Sequence, residues 1–197
     1  PNTVISMSAI GYYGSMSNEE FDEFSPPQDG FAHELCAAWE KSALAFSTLH
    51  SRVVLFRLGV VLGPNGGALR KMRPSYLMGL GGRIGKGDQW FSWVHVNDVV
   101  RAIVESLSDE TFEGAYNLVS PGCVQQKIFA QHYANSLHRP AFFTIPSFVF
   151  NMIFGEMASL LTHGAKVKPK RLKEQSFVFQ YEDLTKALMD IKKYWGR

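Results

Sequence analysis

The sequence predicts an α/β protein in which parallel strands form part of a doubly wound sheet and a mainly helical cap follows. Short β-branched and apolar runs alternate with segments of helical period in the first part of the chain, which is typical of strand–helix–strand units. Beyond about Pro121 the strand runs give way to helical segments. We therefore expect a sheet-bearing domain over residues 1–120 and a helical subdomain over residues 121–197.

Residues 1–57 supply two predicted strands and the helix between them. Val4 to Ser8 is an apolar run expected to form a buried strand, and it leads into a loop from Gly11 to Gly14. Asp29 is expected to cap a helix from about Phe31 to Ser47. Arg52 to Arg57 is short, β-branched and apolar, as expected of an interior parallel strand. The apolar residues at helical spacing are Leu35, Ala38, Trp39 and Leu44.

The remaining elements follow the same alternation before the helical part begins. A short helix from Ala68 to Met78 follows a glycine-rich loop, and Phe91 to Val96 is predicted to be a strand. We expect Asp98 to cap the next helix and His95 to be a structural, hydrogen-bonding histidine. The last strand is expected at Tyr116 to Val119, and the later helices at Gln125 to Leu137, Ser147 to Leu161, Pro169 to Gln175 and Tyr181 to Lys192.

Composition excludes several classes of function. The net charge is only +2, from 20 basic and 18 acidic residues, so there is no electrostatic case for binding nucleic acid. Cys36 and Cys123 are too few for a disulfide framework, which favours a reduced, cytoplasmic setting. None of the six histidines stands in a spacing typical of metal ligands. The most apolar segment, from Ala141 to Leu161, is interrupted by Pro146 and Glu156, so no membrane span is expected.

A set of short motifs in a fixed order carries a family resemblance. The set begins with Ser8 to Gly14, Cys36 to Glu40, Arg57 to Pro64 and Val94 to Asp98. It continues with glycine-rich and basic motifs at Gly66 to Leu69, Gly79 to Gly82, Gly85 to Gln89, His138 to Pro140, Gly155 to Met157 and Pro169 to Leu172. The chain resembles the extended short-chain dehydrogenase/reductases, and more narrowly their atypical epimerase family subgroup, along essentially its whole length.

The resemblance implies a Rossmann-like domain that binds NADP or NAD, a small-molecule substrate, and an oxidoreductase similar to nucleoside-sugar epimerases. In that family a Tyr-x-x-x-Lys pair on the helix after the serine-bearing strand moves the proton. Aligned by Glu40, this helix has Ala32 in place of the tyrosine and Cys36 in place of the lysine. Alanine cannot transfer a proton, and a neutral thiol supplies no fixed positive charge.

Four residues are therefore candidates for the catalytic site. Ser8 is the surviving member of the family's triad, although a serine there can also simply bond loop backbone. Tyr12 and Tyr13 are the nearest phenols and can replace the missing proton donor, or else only pack the loop. Cys36 shares a helix stripe with Ala32 and Glu40, where it faces the nicotinamide or serves as a small packing residue.

Cofactor and substrate contacts are expected elsewhere in the motif set. By resemblance, the backbone at Gly59, Val60 and Val61 passes under the nicotinamide, where small or branched residues allow close approach. Arg83, in the glycine-rich loop, is a candidate for holding an anionic substrate group, the alternative being a solvent-exposed loop charge. Glu156 falls among apolar helix positions and is expected to be buried. It would then either form an ion pair with Arg139 or Arg171 or contact the substrate.

The pyrophosphate-binding half of such a domain is not found in the sequence. No G-x-G-x-x-G stands between a strand and a helix, and the chain enters a strand directly after Pro1. We therefore expect a fragment that needs an upstream half to bind the dinucleotide and is inactive without it. An uncovered strand edge would favour aggregation or pairing with another chain, such as a homodimer.

Two functions remain open at this stage. One is an NADP- or NAD-dependent epimerase-like oxidoreductase with a non-standard proton donor, which Ser8 and the glycine-rich substrate loop favour. The other is a catalytically silent nucleotide-binding protein that acts by association with other proteins, similar to relatives labelled as cell-division inhibitors. The replacements at Ala32 and Cys36 favour this second function.

Overall fold

A computed structural model describes residues 1–14, 19–146 and 164–195. In chain order the elements are β1 (Thr3–Ala9), β2 (Glu20–Phe21), α1 (Phe31–Leu44), β3 (Arg52–Leu58), β4 (Val60–Leu62), α2 (Gly67–Leu77), β5 (Gly82–Ile84), β6 (Trp90–Phe91), β7 (Trp93–His95), α3 (Val96–Ser108), β8 (Gly114–Leu118), β9 (Val124–Gln125), α4 (Gln126–Ser136), β10 (Phe143–Ile145), β11 (Lys166–Val167), α5 (Lys170–Glu174) and α6 (Leu184–Lys192). Two 3₁₀ turns, Ile10–Tyr13 and Ala45–Leu49, follow β1 and α1.

A parallel three-stranded sheet in the order β1–β3–β8 forms the centre of the fold. Alternate residues of β3 face opposite sides, because successive side chains of a strand point to opposite faces. Val53 and Leu55 pack against Ala43 of α1, whereas Val54 and Phe56 pack in a core that includes residues of α3 and α5. Helices therefore cover both faces of parallel strands, which confirms the predicted α/β class.

A second core lies beside this sheet and joins the two parts of the chain. Aromatic residues of α2, β7 and α4, among them Tyr76, Trp93 and Tyr133, pack with apolar residues of α6. The expectation that strands end near Val119 is wrong, because β9, β10 and β11 follow. Each of these three pairs with a strand from before residue 120, namely β6, β5 and β2. The domain division at residue 120 itself stays a prediction.

Helix α1 departs from its prediction at both ends and on its buried face. It begins at Phe31 after Gly30 without a side-chain cap, so the expected cap by Asp29 is wrong, and it ends at Leu44 instead of Ser47. The predicted apolar residues Leu35, Ala38, Trp39 and Leu44 are all exposed, and the buried ones are Cys36, Glu40 and Ala43. The buried face of the helix therefore combines a polar contact of Glu40 with the sheet and the packing of Ala43 against Val53 and Leu55.

The predicted strand from Phe91 to Val96 is divided at Ser92 into β6 and β7. The Ser92 hydroxyl donates to the Ala165 carbonyl at 2.8 Å and accepts from the Val167 amide at 3.1 Å. The Ser92 side chain thus bonds to another segment of backbone at the point where the strand is interrupted. The interruption links the strand to the region around β11.

The start of helix α3 corrects the expected role of Asp98. His95 is the N-cap, and its Nδ1 accepts from the Asn97 amide at 3.1 Å. This confirms the structural role predicted for His95, whereas the cap predicted at Asp98 is wrong. The buried Asp98 carboxylate instead accepts the amides of Gln180 at 2.8 Å and Tyr181 at 3.0 Å. Asp98 therefore fixes the segment before α6 to the start of α3.

Candidate active site

A buried polar cluster lies where β1 and β3 end, beneath helix α1. The Ser8 hydroxyl donates to Glu40 Oε1 at 2.8 Å. Arg57, which is opposite Ser8 in the parallel register, donates from Nε to Oε1 at 2.8 Å and from a terminal nitrogen to Oε2 at 2.7 Å. Such a two-pronged contact between guanidinium and carboxylate is the strongest form of ion pair in proteins. All three residues are buried.

The ion pair reinforces the charge of Arg57. Burial alone would lower the pKa of Arg57, but the hydrogen bonds and the negative charge of Glu40 raise it above its ordinary value. The guanidinium can only donate, and it forms a buried salt bridge with the oxygens of Glu40, which accept. The positive and negative charges of the cluster therefore compensate each other.

Tyr13 is built into the same cluster and is completely buried. Its hydroxyl accepts from Arg57 at 3.0 Å and donates to Asn117 Oδ1 at 2.8 Å. Burial raises the pKa of Tyr13 to about 12, although Arg57 acts to lower it. The Tyr13 phenol therefore keeps its proton near neutral pH and connects the turn after β1 to β8, which argues against a role for it in proton exchange.

Tyr12 is the more accessible of the two phenols. Its side chain is only partly buried, and the centre of its ring lies 3.4 Å from Cζ of Arg57. An arginine that faces an aromatic ring at this distance makes a favourable cation–π contact. The Tyr12 carbonyl is also held by Nδ1 of His33 at 2.8 Å. The contacts with Arg57 and His33 thus fix the position of Tyr12, while part of its side chain is exposed to solvent.

Cys36 does not carry the features of an activated thiol. Burial raises the pKa of Cys36, in spite of its hydrogen bonds with the Ala9 backbone and the Ser8 side chain. The loop after β1 packs directly on this helix, since a Cβ atom at Gly11 would lie 3.5 Å from Ala32 Cβ and 3.6 Å from Cys36 Sγ. Packing against the loop is the role that this environment supports.

Gly59, Val60 and Val61 follow β3 at the same edge of the sheet as Ser8. A Cβ atom at Gly59 would come within 2.6 Å of the Ser92 carbonyl oxygen and 2.8 Å of Val119 Cγ1. The glycine is therefore required by close packing within the protein itself. Val60 and Val61 begin β4 and are partly buried.

Arg83 lies apart from this cluster, on β5. It is exposed, and its Nε donates to Thr144 Oγ1 on the neighbouring β10 at 2.9 Å. Arg83 lines an open groove of about 520 Å³ together with Lys127 of α4 and Phe142 and Phe143 near β10. The structure thus brings Ser8, Tyr12, Tyr13 and Cys36 together and places Arg83 in a different setting.

Glu156 lies outside the described residues. Of its two expected partners, Arg171 donates to the carbonyls of Ala115 at 2.7 Å and Glu113 at 2.9 Å. Its guanidinium also faces the ring of Tyr116, with Cζ 4.1 Å from the ring centre. Arg171 therefore joins α5 to β8.

Sequence reasoning missed the pair formed by Glu40 and Arg57 as a part of the site. A signal was present, because a charged residue inside an otherwise apolar strand must find a partner when it is buried. Arg57 is such a residue, and Glu40 is the acidic residue that shares a helix stripe with Cys36. The sequence does not show that these two residues form an ion pair, whereas the structure does.

Neither a metal centre nor a membrane span is found in the part of the chain that the structure describes. Within residues 1–14, 19–146 and 164–195, no three histidine, cysteine, aspartate or glutamate side chains are grouped so that they could hold a metal ion. In the same ranges, no helix has the length and apolar character needed to cross a bilayer.

Comparison with known proteins identifies relatives along nearly the whole chain. Residues 1–118 match the model of the NAD dependent epimerase/dehydratase family, and residues 145–191 match a domain of unknown function, DUF1731. A chloroplastic epimerase family protein SDR39U1 homolog of Arabidopsis thaliana is 40% identical over 191 residues, which are 97% of this chain and 55% of that protein. Epimerase family protein SSP1921 of Staphylococcus saprophyticus is 36% identical, over 97% of this chain and 64% of its own length.

Solved structures agree with these matches. The crystal structure of human epimerase family protein SDR39U1 with NADPH has a TM-score of 0.86 and 30% identity, over 98% of this chain and 66% of that one. A nucleoside-diphosphate sugar epimerase from Corynebacterium glutamicum has a TM-score of 0.81 and 26% identity, over 98% of this chain and 38% of that one. The chain thus spans between about half and two thirds of the length of the curated relatives described above.

Proposed function

Because the chain belongs to the NAD dependent epimerase/dehydratase family, we propose that it forms the substrate side of an NAD(P)-dependent oxidoreductase similar to nucleoside-sugar epimerases. The observation that carries the proposal is the position of Ser8. Its hydroxyl lies at the carboxyl end of β1, beside the segment Gly59 to Val61 that follows β3. Ligands of open α/β sheets bind at this edge.

The residues at this edge suit one part of a dinucleotide. Val60 and Val61 offer partly exposed apolar side chains and extended backbone, which suits the flat face of a nicotinamide. The sequence contains no glycine-rich turn of the type that holds the pyrophosphate. When bound, the nicotinamide supplies hydride transfer. The human relative was solved with NADPH, and this supports NADP as the cofactor of the family member to which the chain corresponds.

Within this proposal the chain's own residues have distinct tasks. Ser8 contacts the substrate oxygen, and Glu40 and Arg57 hold Ser8 in place. Tyr12 is the candidate for moving a proton, because it is the more accessible phenol. Tyr13 and Cys36 shape the site, since the first is a locked hydrogen-bond link and the second a buried thiol. Arg83, with Lys127 beside it, would contact an anionic part of the substrate only if that part extended to β5.

The second candidate function is that of a catalytically silent nucleotide-binding protein that acts through other proteins. The compensated charge of Arg57 favours it, because no free cation in the described cluster takes the place of the family's lysine. Exposed apolar side chains on α1, such as Phe31 and Trp39, are consistent with contact to another polypeptide, including a second copy. We propose a cytoplasmic location for either function, with no nucleic-acid or membrane partner.

Titration with NADPH tests the cofactor proposal. Two polypeptides are compared, the 197-residue chain and a version extended upstream through a family pyrophosphate loop, with tryptophan fluorescence, to which Trp39 and Trp93 contribute, as the signal. We expect saturable binding for the extended version and none for the 197-residue chain, because the latter lacks the pyrophosphate turn. Failure of the extended version to bind, or tight binding by the short chain, would contradict the proposed division of the site.

A further inference from the structure

An open groove of about 520 Å³ lies between helix α4 and residues 140–143, which lead into β10. None of its described lining residues belongs to the buried polar cluster beneath α1. Lys127, Gln131 and Asn135 are spaced four residues apart on α4 and form one wall, because side chains at this spacing share a helix face. This wall, which we call the α4 wall, presents one cation and two carboxamides, and a carboxamide can both donate and accept hydrogen bonds.

The opposite wall of the groove carries two exposed aromatic side chains. Phe142 and Phe143 are 88% and 52% exposed, and both line the groove. A phenylalanine side chain removes a large apolar area from water when it is covered, and aromatic residues are enriched in the centres of protein interfaces. The two rings therefore offer an apolar anchor site opposite the polar α4 wall.

The end of the groove where α4 begins has an excess of positive charge. Arg83 donates from Nε to Thr144 Oγ1 at 2.9 Å, and no described residue accepts from its two terminal nitrogens. Lys127 pairs with the exposed carboxylate of Asp88 at 2.7 Å. The charges of Lys86 and Arg83 also reach this carboxylate, since both act to lower the pKa of Asp88. Three cations thus share one carboxylate, and none of the described lining residues of the groove is acidic.

We propose that this groove binds an extended, acidic segment of another polypeptide. Carboxylates of the segment pair with Arg83 and Lys127, and an apolar side chain covers Phe142. The carboxamides of Gln131 and Asn135 bond to the backbone of the segment, which offers a donor and an acceptor at each residue. This interaction goes beyond the proposed function and does not depend on it.

The shape of the groove favours a peptide over a small ligand. Lys127 and Asn135 are about 12 Å apart along the helix axis, which is the length of about four extended residues. Sites for small molecules enclose most of their ligand, whereas this groove is open and leaves one side of a bound chain in solvent. The walls are also held in place by backbone bonds, from the Lys127 amide to the Gly87 carbonyl at 2.9 Å and from the Gly85 amide to the Ile145 carbonyl at 3.0 Å. A groove formed in advance loses little conformational freedom on binding.

Fluorescence anisotropy with labelled peptides tests the proposal on the 197-residue chain. The probe is the peptide Asp-Glu-Asp-Phe-Val-Thr carrying fluorescein, made in both chain directions, and the tighter binder of the two is used. Its counterpart Asn-Gln-Asn-Phe-Val-Thr has the same shape without the negative charges. At low salt we expect saturable binding of the acidic probe, at least about fivefold tighter than that of the neutral one. This difference should disappear at about 1 M NaCl, because salt screens exposed charges.

Variants locate the binding in the groove. Arg83→Gln is expected to weaken binding of the acidic probe by about fivefold, and Phe142→Ala by about tenfold, because an aromatic anchor contributes more than a single exposed charge. The matched controls are Lys41→Gln and Phe31→Ala, which remove an exposed cation and an exposed aromatic ring from α1 and should leave the affinity unchanged. Circular dichroism shows whether each variant is folded.

A spectroscopic measurement on the unmodified chain decides the matter if a variant does not fold. In ¹⁵N spectra, the side-chain amide signals of Gln131 and Asn135 should shift when the acidic probe is added. Four results would overturn the proposal: equal affinity for the acidic and neutral probes at low salt, an equal loss in the α1 controls, no shift of these two signals, and tighter binding of oligouridylate than of the acidic probe. NADPH is absent from every titration, so none of these results bears on the proposed function.

Discussion

Replacing Glu40 with alanine is expected to destabilise the protein by about 3–5 kcal/mol, because it leaves the charge of Arg57 buried without its partner. Glu40 accepts three hydrogen bonds, one from Ser8 and two from Arg57. At about 1.5–3 kcal/mol for each bond to a charged group, their summed loss would be about 4.5–9 kcal/mol.

This sum is an upper limit, because water and small structural adjustments partly solvate the Arg57 guanidinium once the carboxylate is removed. The contacts of Arg57 with the Tyr12 ring, at 3.4 Å, and with the Tyr13 hydroxyl are present before and after the substitution, so they do not enter the difference. Removal of one partner of a buried ion pair typically costs about 3–5 kcal/mol, and we adopt this range. Since whole domains have only about 5–15 kcal/mol of stability, the variant is expected to be near its folding limit.

A double-mutant cycle measured by urea unfolding, with tryptophan fluorescence as the signal, checks this reasoning. The double variant Glu40→Ala, Arg57→Met removes both charges and is expected to be more stable than Glu40→Ala alone, with a coupling energy of at least about 2 kcal/mol. Glu34→Ala, an exposed acidic position on the same helix, is the control and should change stability by less than about 0.5 kcal/mol. A loss below about 1 kcal/mol for Glu40→Ala, or simple additivity in the double variant, would refute the argument.

Two further predictions concern residues around β7. Burial lowers the pKa of His95 below its ordinary value, although the charges of Asp190 and Asp98 act to raise it. The unfolded chain therefore binds a proton at this residue more readily than the folded protein does. Stability should be retained above about pH 6.5 and should decrease as the pH falls below this value. The variant His95→Gln should therefore show a smaller loss of thermal stability between pH 8 and pH 5 than the unmodified protein. A pH profile equal to that of the unmodified protein would contradict this prediction. Gly59→Ala should destabilise by about 1–3 kcal/mol in urea unfolding, because its methyl group would overlap the Ser92 carbonyl oxygen and Val119. An unchanged midpoint would show that the backbone moves aside freely.

The strands of the central sheet could be predicted from the sequence because each contains a short run of mainly apolar residues, several of them β-branched. Strands β1 and β3 are found where Val4 to Ser8 and Arg52 to Arg57 predict them, with one or two residues added at the ends. In β3 the residues from Val53 to Arg57 are all buried, so both faces of this strand contact the core. The buried face of a helix is harder to predict, because only one stripe of its side chains is buried.

The buried face of α1 could not be predicted because its apolar residues point outward. Phe31 and Trp39 are 77% and 52% exposed, whereas Glu40 is buried. A pattern-based reading assigns apolar residues to the core, and here a long-range ion pair with Arg57 takes precedence. The N-cap of α3 was misassigned for a related reason, since Asp98 finds its amides some eighty residues later in the chain. Contacts between distant segments decided each case.

The compensated charge of Arg57 also bears on the choice between the two proposed functions. In the Tyr-x-x-x-Lys pattern the lysine provides a positive charge that stabilises a phenolate, and a proton can then be exchanged with substrate. Arg57 is the cation beside Tyr12 and Tyr13, but its charge is already balanced by Glu40. The described cluster therefore contains no uncompensated cation that could take the place of that lysine beside the two phenols, and this favours the catalytically silent alternative of the two proposed functions.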